Sequence, residues 1–96
     1  MATYITLSRW TAKGVKRLNE SPSRLDKVRE AVRAAGGEMK AFYLTMGEYD
    51  FVAVWECPDD KTYAKFALQV AAAGSVRSTT LKAFSEEEYR GILGSL

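Results

Sequence analysis

The side chains best suited to chemistry in this sequence lie around a glycine turn in the segment 43–50. Tyr43 precedes the turn, Asp50 follows it, and Arg77 opens a later strand-like segment. A tyrosine hydroxyl can orient a ligand or transfer a proton, and Arg77 could pair with Asp50 or with a ligand carboxylate. The alternatives are structural: interface packing for Tyr43, a turn-fixing role for Asp50 and a surface role for Arg77. The first two are favoured.

The connector that follows the first predicted strand is locally basic. Thr11, Lys13 and Gly14 lie there, close in sequence to a helix start at Pro22. Such a group could bind an anion or a carboxylate, although a solvated basic face is the commoner outcome.

Aromatic side chains offer a third kind of site. Trp10, Tyr43, Tyr49 and Trp55 could line a pocket, or they could pack in the core or at an interface. The candidate ligand-binding residues are Trp10, Thr11, Lys13, Tyr43, Gly47, Tyr49, Asp50, Arg77 and Thr80.

The chain contains no histidine and only one cysteine, Cys57. The commonest general base and the commonest zinc ligand are therefore absent, and thiolate clusters and an internal disulfide are excluded. No histidine is available to activate Cys57, which makes a nucleophilic role improbable. We expect no metal site and no cofactor.

Length and charge limit the class of protein further. Ninety-six residues fit a single domain, 1–96, with a net charge of only +2 and interleaved charges. This pattern lacks the dense basic stripe of nucleic-acid-binding proteins. No apolar run reaches the roughly 20 residues of a membrane helix, and the start of the chain is too polar for a secretion signal. We expect a cytoplasmic protein without nucleic-acid or membrane partners.

Hydrophobic periodicity predicts the order β-α-β-β-α-β followed by a short C-terminal helix. The predicted strands are 3–10, 38–45, 49–56 and 76–84. Ser21-Pro22 and Asp59-Asp60 begin the two main helices, and Ser85 with Glu88 forms a capping-box pattern. The predicted fold is α+β and ferredoxin-like, with an antiparallel four-stranded sheet and two helices on one face.

A sheet covered on one side needs a second cover, and the alternation along the strands suggests which face is bare. We predict that the helices meet a mostly aliphatic set: Ile5, Leu7, Phe42, Leu44, Val52, Val54 and Leu81. The bare face then carries an amphipathic set, with Tyr4, Thr6, Phe51 and Trp55 as the dimer-face candidates. Large aromatic side chains there would exceed the apolar patch that monomers tolerate, which predicts a face-to-face homodimer. The C-terminal tail is the alternative cover.

Several motifs together resemble one known family. Gly47-Glu48-Tyr49-Asp50 opens a strand, and Val76-Arg77-Ser78-Thr79-Thr80-Leu81 follows about 30 residues later. With Gly36-Gly37 and the Ser21-Pro22 helix start, this series resembles the GYD-domain family over essentially the whole chain. The resemblance implies a small prokaryotic protein that assembles as a dimeric α/β barrel.

The Gly-x-Tyr-Asp strand start is also similar to the effector-binding module of the feast/famine transcription regulators. In that module the corresponding loops help to form a pocket between subunits for an amino acid or a related small molecule. This chain shows no helix-turn-helix segment in front of the module.

Three functions fit these observations. The first is a small-molecule-binding homo-oligomer that serves as a sensor or accessory protein. The second is a cofactor-free enzyme, such as a monooxygenase or isomerase, that would use Tyr43, Asp50 and Arg77. The third is a structural assembly component.

Overall fold

The computed structural model describes residues 1–96 as four strands and four α-helices. The elements are β1 (Ala2–Trp10), α1 (Ala12–Lys16), α2 (Ser21–Ala34), β2 (Glu38–Leu44), β3 (Phe51–Cys57), α3 (Asp60–Ala73), β4 (Val76–Ala83) and α4 (Glu86–Gly94). A single 3₁₀ turn, Leu18–Glu20, joins α1 to α2. The predicted α+β fold is confirmed.

The sheet has the strand order β2-β3-β1-β4, and every neighbouring pair is antiparallel. The longest strand, β1, lies in the interior with β3, so β2 and β4 form the edges. The register shifts between Met39 and Ala41, which marks a bulge at the start of β2.

The helix ends follow from side chains that cap the backbone. Asp59 accepts a hydrogen bond from the Thr62 amide at the start of α3, and Gly74 ends that helix at φ +79°. Ser85 and Glu88 form the predicted capping box of α4. Ser21 differs from its prediction, because it is the first helical residue of α2 and Glu20 occupies the cap position without a side-chain bond.

On β1, β3 and β4, the helices cover the face opposite to the one that was predicted. Tyr4, Thr6 and Trp55 are buried within the single chain at 4%, 8% and 5% exposure. They lie with Phe51 on the helix side, so none of these four dimer-face candidates can form an outer face of this sheet. The Tyr4 ring stacks on Tyr63 of α3, with the ring centroids 4.0 Å apart, and this contact holds the Tyr4 side of β1 against the helix.

The face without helices carries mainly aliphatic side chains near its middle, and we call it the open face. Alternation along each strand places on it Ile5, Leu7, Ala41, Tyr43, Val52, Val54 and Leu81. These residues are half-buried or exposed, with Tyr43 64% exposed. The prediction for β2 itself was correct, because Phe42 lies on the helix side, in contact with Phe51.

The C-terminal helix α4 is a further exposed apolar element. Tyr89, Ile92 and Leu93 follow the i, i+3, i+4 spacing of one face of α4, and all three are exposed, as is Leu96 beyond the end of the helix. None of the chain's helices has both the length and the apolar character that a membrane crossing requires.

Candidate functional site

A cleft of about 760 Å³ opens between α2 and α3, on the helix side of the sheet. It forms because the two helices rest on opposite edges: α2 packs on β2, whereas α3 packs mainly on β4 and β3. We call it the α2–α3 cleft. Its sheet floor comprises Thr6, Ser8, Phe42, Phe51, Trp55, Ser78 and Thr80, and its helical walls include Ser21, Arg24, Leu25, Val28, Ala31, Tyr63, Phe66, Ala67 and Val70.

Six of the 15 hydrophobic residues that line the cleft are aromatic. The rings of Trp55 and Phe66 meet edge-on, with their centroids 5.4 Å apart. The Phe51 ring contacts the rings of Trp10 and Phe42, at centroid distances of 5.6 Å and 5.3 Å. Both tryptophans of the chain line the cleft. Such a ring-lined volume suits a flat apolar ligand, since offset and edge-on ring contacts are favourable.

A row of hydroxyl groups crosses the floor of the cleft. The Oγ atoms of Ser8 and Ser78 lie 2.8 Å apart. The Trp55 Nε1–H donates to Thr6 Oγ1 over 3.0 Å, and Tyr63 Oη lies 3.4 Å from Thr80 Oγ1. These groups hydrogen-bond with one another, and the ones nearest the exposed edge strand β4 can also turn toward a ligand.

Tyrosines next to the cleft are held in the neutral form. Burial raises the pKa of Tyr63, and the hydrogen bond to Thr80 opposes that shift only in part. Burial also raises the pKa of Tyr4, whose hydroxyl donates to Asp60 Oδ1 at 2.5 Å. Both phenols therefore act as neutral hydrogen-bonding groups near neutral pH, not as bases.

Only some of the predicted ligand-binding residues reach the cleft. Trp10, Thr11 and Thr80 line it. Tyr43 lies on the open face, on the opposite side of the sheet from the cleft. Arg77 is also among the lining residues, although alternation from Ser78 directs its side chain to the open face beside Arg9.

The remaining predicted residues have structural roles. Asp50 Oδ2 accepts a hydrogen bond from the Trp10 amide at 2.9 Å, which fastens the loop to β1. Gly47 has φ +123°, as its turn requires, and Tyr49 lies beneath the Arg9 guanidinium at 4.9 Å. The structural role predicted for Asp50 is therefore the observed one, except that its carboxylate bonds to an amide of β1 and not to a turn amide.

The predicted anion site of the basic connector is used by the protein's own backbone. Thr11 Oγ1 donates to the Gly74 carbonyl at 2.6 Å, and Lys13 Nζ donates to the Ala73 carbonyl at 2.8 Å. Gly14 allows this approach, since a Cβ there would lie 2.1 Å from the Ser75 carbonyl oxygen. These residues join α1 to the end of α3.

Five residues that line the cleft were not predicted as site residues: Ser8, Arg24, Tyr63, Phe66 and Ser78. Arg24 precedes Leu25 and lies four residues before Val28 on α2, so the helical stripe alone could have placed it beside the cleft. No group of three or more acidic, cysteine or histidine side chains is close enough to hold a metal ion.

The fold and the cleft together define a small ferredoxin-like α+β domain with one ligand-sized opening between its two main helices. A model of the GYD domain matches residues 4–93, and the chain belongs to the GYD-domain family. The predicted family resemblance is confirmed.

A relative and several solved structures are similar to this chain. The chain is 40% identical over 84 residues to the "glutamine synthetase and cystathionine beta-lyase binding protein" of Thermus thermophilus, covering 86% of this chain and 88% of the relative. The crystal structure of FFRP-DM1 matches with a TM-score of 0.61 and 21% identity, covering 88% of this chain and all of the other.

Two further structures share the fold at similar coverage. A protein of Thermus thermophilus matches with a TM-score of 0.54 at 24% identity, covering 88% of this chain and 95% of that one. A hypothetical protein of Pyrococcus horikoshii matches with a TM-score of 0.57 at 22% identity, covering 88% and 92%. At these identities the structural matches establish the fold alone.

Proposed function

We propose that the protein is a homo-oligomeric accessory protein that binds a small molecule in the α2–α3 cleft. The cleft itself carries the proposal. Its volume of about 760 Å³ lies within the roughly 300–1,000 Å³ of small-molecule sites, and apolar rings with a few hydroxyls are the usual lining.

Self-association through the open face is the second part of the proposal. Four strands about 4.8 Å apart and seven residues of about 3.3 Å each give a face of roughly 20 by 23 Å. Val52, Val54 and Leu81 lie on this face with Ile5 and Leu7, and an apolar patch of a few hundred Å² is at the upper end of what soluble monomers expose. A second copy of the same face is its best match, because a twofold axis brings identical aliphatic surfaces together.

The two surfaces are compatible with each other. The open face and the cleft lie on opposite sides of the sheet, so a face-to-face dimer leaves both clefts accessible. This arrangement suits an accessory protein whose ligand binds while the assembly is intact.

Docking to other proteins is a second candidate function, and α4 favours it. Its apolar stripe has no cover in the chain, and the relative from Thermus thermophilus is described as binding two enzymes. We infer that α4 docks on such enzymes.

Purified glutamine synthetase and cystathionine beta-lyase should bind the full chain, whereas the paired change Ile92→Glu and Leu93→Glu should abolish binding. Unchanged binding would contradict a role for α4.

The three residues predicted for a cofactor-free enzyme do not form an assembled site. Tyr43 lies on β2 and Arg77 on β4, at opposite edges of the sheet and roughly 14 Å apart by strand spacing. The carboxylate of Asp50 is bonded to the Trp10 amide. These three side chains therefore do not converge on one reacting group.

A thermal-shift screen with a cleft-filling variant tests the proposed function. A ligand at about 100 times its Kd adds about 2.7 kcal/mol of stability, which raises the melting temperature of a domain this size by roughly 10 °C or more. Ala31→Phe narrows the cleft from α2, whereas Ala34→Phe makes the same change outside the cleft. A hit should stabilise the wild type and Ala34→Phe but not Ala31→Phe. Equal stabilisation of all three, or no hit among carboxylic acids, amino acids and nucleotides, would contradict the proposal.

A further inference from the structure

The charged residues that line the α2–α3 cleft are all basic. The chain has 12 acidic residues, yet no aspartate or glutamate lines the cleft, whereas Arg24 and Lys27 of α2 do. The acidic residues of α2, Asp26 and Glu30, do not line it. A cleft with cationic and no anionic lining favours negative ligands, because its apolar walls weaken the screening of charge by water.

Arg24 has a donor that the protein leaves free. Its Nη1 donates to the Arg17 carbonyl at 3.0 Å, which holds the guanidinium in place. Its Nη2 is buried and has no hydrogen-bond partner. A buried, charged donor without an acceptor is costly, and buried polar groups are nearly always paired in native proteins. Nη2 is closed off from solvent, so a ligand carboxylate would reach it only after the guanidinium turned toward the cleft that Arg24 lines.

We propose that the α2–α3 cleft selects a flat, apolar carboxylic acid, with its carboxylate on Arg24 and its body on the ring surface. The planar guanidinium suits a carboxylate, since it offers donors in a fixed fork. Trp55 and Phe66 supply apolar surface for the body of the ligand. This inference rests on the proposed small-molecule function and adds the class of the ligand.

Naphthoate and naphthamide form a matched pair of probes for this selection. They share one flat body, and only naphthoate carries a charge. Isothermal titration calorimetry should give the wild-type chain at least about tenfold tighter binding of naphthoate, because hydrogen bonds to charged groups are among the stronger ones. Arg24→Met should remove that preference and leave naphthamide binding unchanged, and Arg24→Lys should restore part of it.

Arg33→Met is the control, since Arg33 is exposed on α2, does not line the cleft and carries the same charge. It should keep the wild-type preference. The inference is overturned if both probes bind the wild type equally, if the preference survives in Arg24→Met, or if neither probe binds at millimolar concentration. Equal binding that Ala31→Phe abolishes would overturn the carboxylate selection while supporting the proposed cleft function.

Discussion

A lysine at Val54 tests which face of the sheet joins two copies of the chain. Val54 lies on the interior strand β3, opposite Ile5 on β1 and Ala41 on β2, near the middle of the open face. The Val54→Lys change places a charge there without disturbing the helix side of the sheet. Ala64→Lys, on the exposed side of α3, adds the same charge elsewhere.

The expected effect on association is large and the effect on folding is small. An unpaired charge buried at an interface costs several kcal/mol, so about 3 kcal/mol per chain gives about 6 kcal/mol per twofold dimer. At about 1.4 kcal/mol per factor of ten, the dimer Kd should rise by about four orders of magnitude. Within one chain Val54 is only half-buried, so the free energy of unfolding of the monomer should change by about 1 kcal/mol or less.

Sedimentation equilibrium and urea unfolding measure these two quantities separately. We expect a monomer for Val54→Lys, a dimer or larger oligomer for the wild type and for Ala64→Lys, and cooperative unfolding for all three. Wild-type association of the Val54→Lys chain would refute the assignment of the open face as the interface. A monomeric wild type would refute self-association altogether.

The remaining predictions concern stability and reactivity. Phe51→Asp should lower stability by about 2 kcal/mol or more without dissociating the native assembly, because Phe51 lies under the helices. Cys57 is 1% exposed and burial raises its pKa, so Ellman's reagent at mildly alkaline pH should label it only after unfolding; rapid native labelling would contradict this. Gly14→Ala should cost about 1–3 kcal/mol in urea unfolding, since its Cβ would overlap the Ser75 carbonyl. Hydrogen bonds from Tyr4 and Lys82 lower the pKa of Asp60. Its stabilising effect is therefore present above the unfolded pKa of about 4 and lost below it, and Asp60→Asn should flatten the fall of the melting temperature in acid.

The order of the elements was predictable because local signals mark each one. The Ser85 and Glu88 capping box, the αL glycine Gly74 and the Asp59 cap all depend on a few neighbouring residues. These signals do not depend on how distant strands align. The predicted helix and strand bounds were therefore close to those of the structure.

The choice of the covered face was not predictable from alternation alone. Alternation sorts each strand into two sets, but it does not say how one strand's sets align with those of its neighbours. Phe42 lies on the helix side as predicted, whereas Val52 and Val54 of the neighbouring strand do not. The deciding contact, Tyr4 stacked on Tyr63, joins residues that are far apart in the sequence.

The cleft was likewise beyond sequence reasoning, because it exists only where α2 and α3 fail to meet. Trp10 and Thr80 were predicted as ligand-binding residues for their chemistry, and the structure places both in the cleft. The helical position of Arg24 could have placed it beside the cleft, but its unpaired Nη2 atom is a property of packing, not of sequence. Tyr43 and Arg77 were assigned together from chemistry, yet they lie at opposite edges of the sheet.

The indole N–H resonances of the two tryptophans offer the most direct test of the central claim, that the α2–α3 cleft binds a small molecule. Both side chains line the cleft, and neither Trp10 nor Trp55 lies on the open face. During an NMR titration with naphthoate, we expect both indole signals to shift saturably, and the Ala31→Phe change to suppress the shifts. Unmoved indole signals, or shifts confined to the open-face amides of Val52 and Val54, would contradict the account.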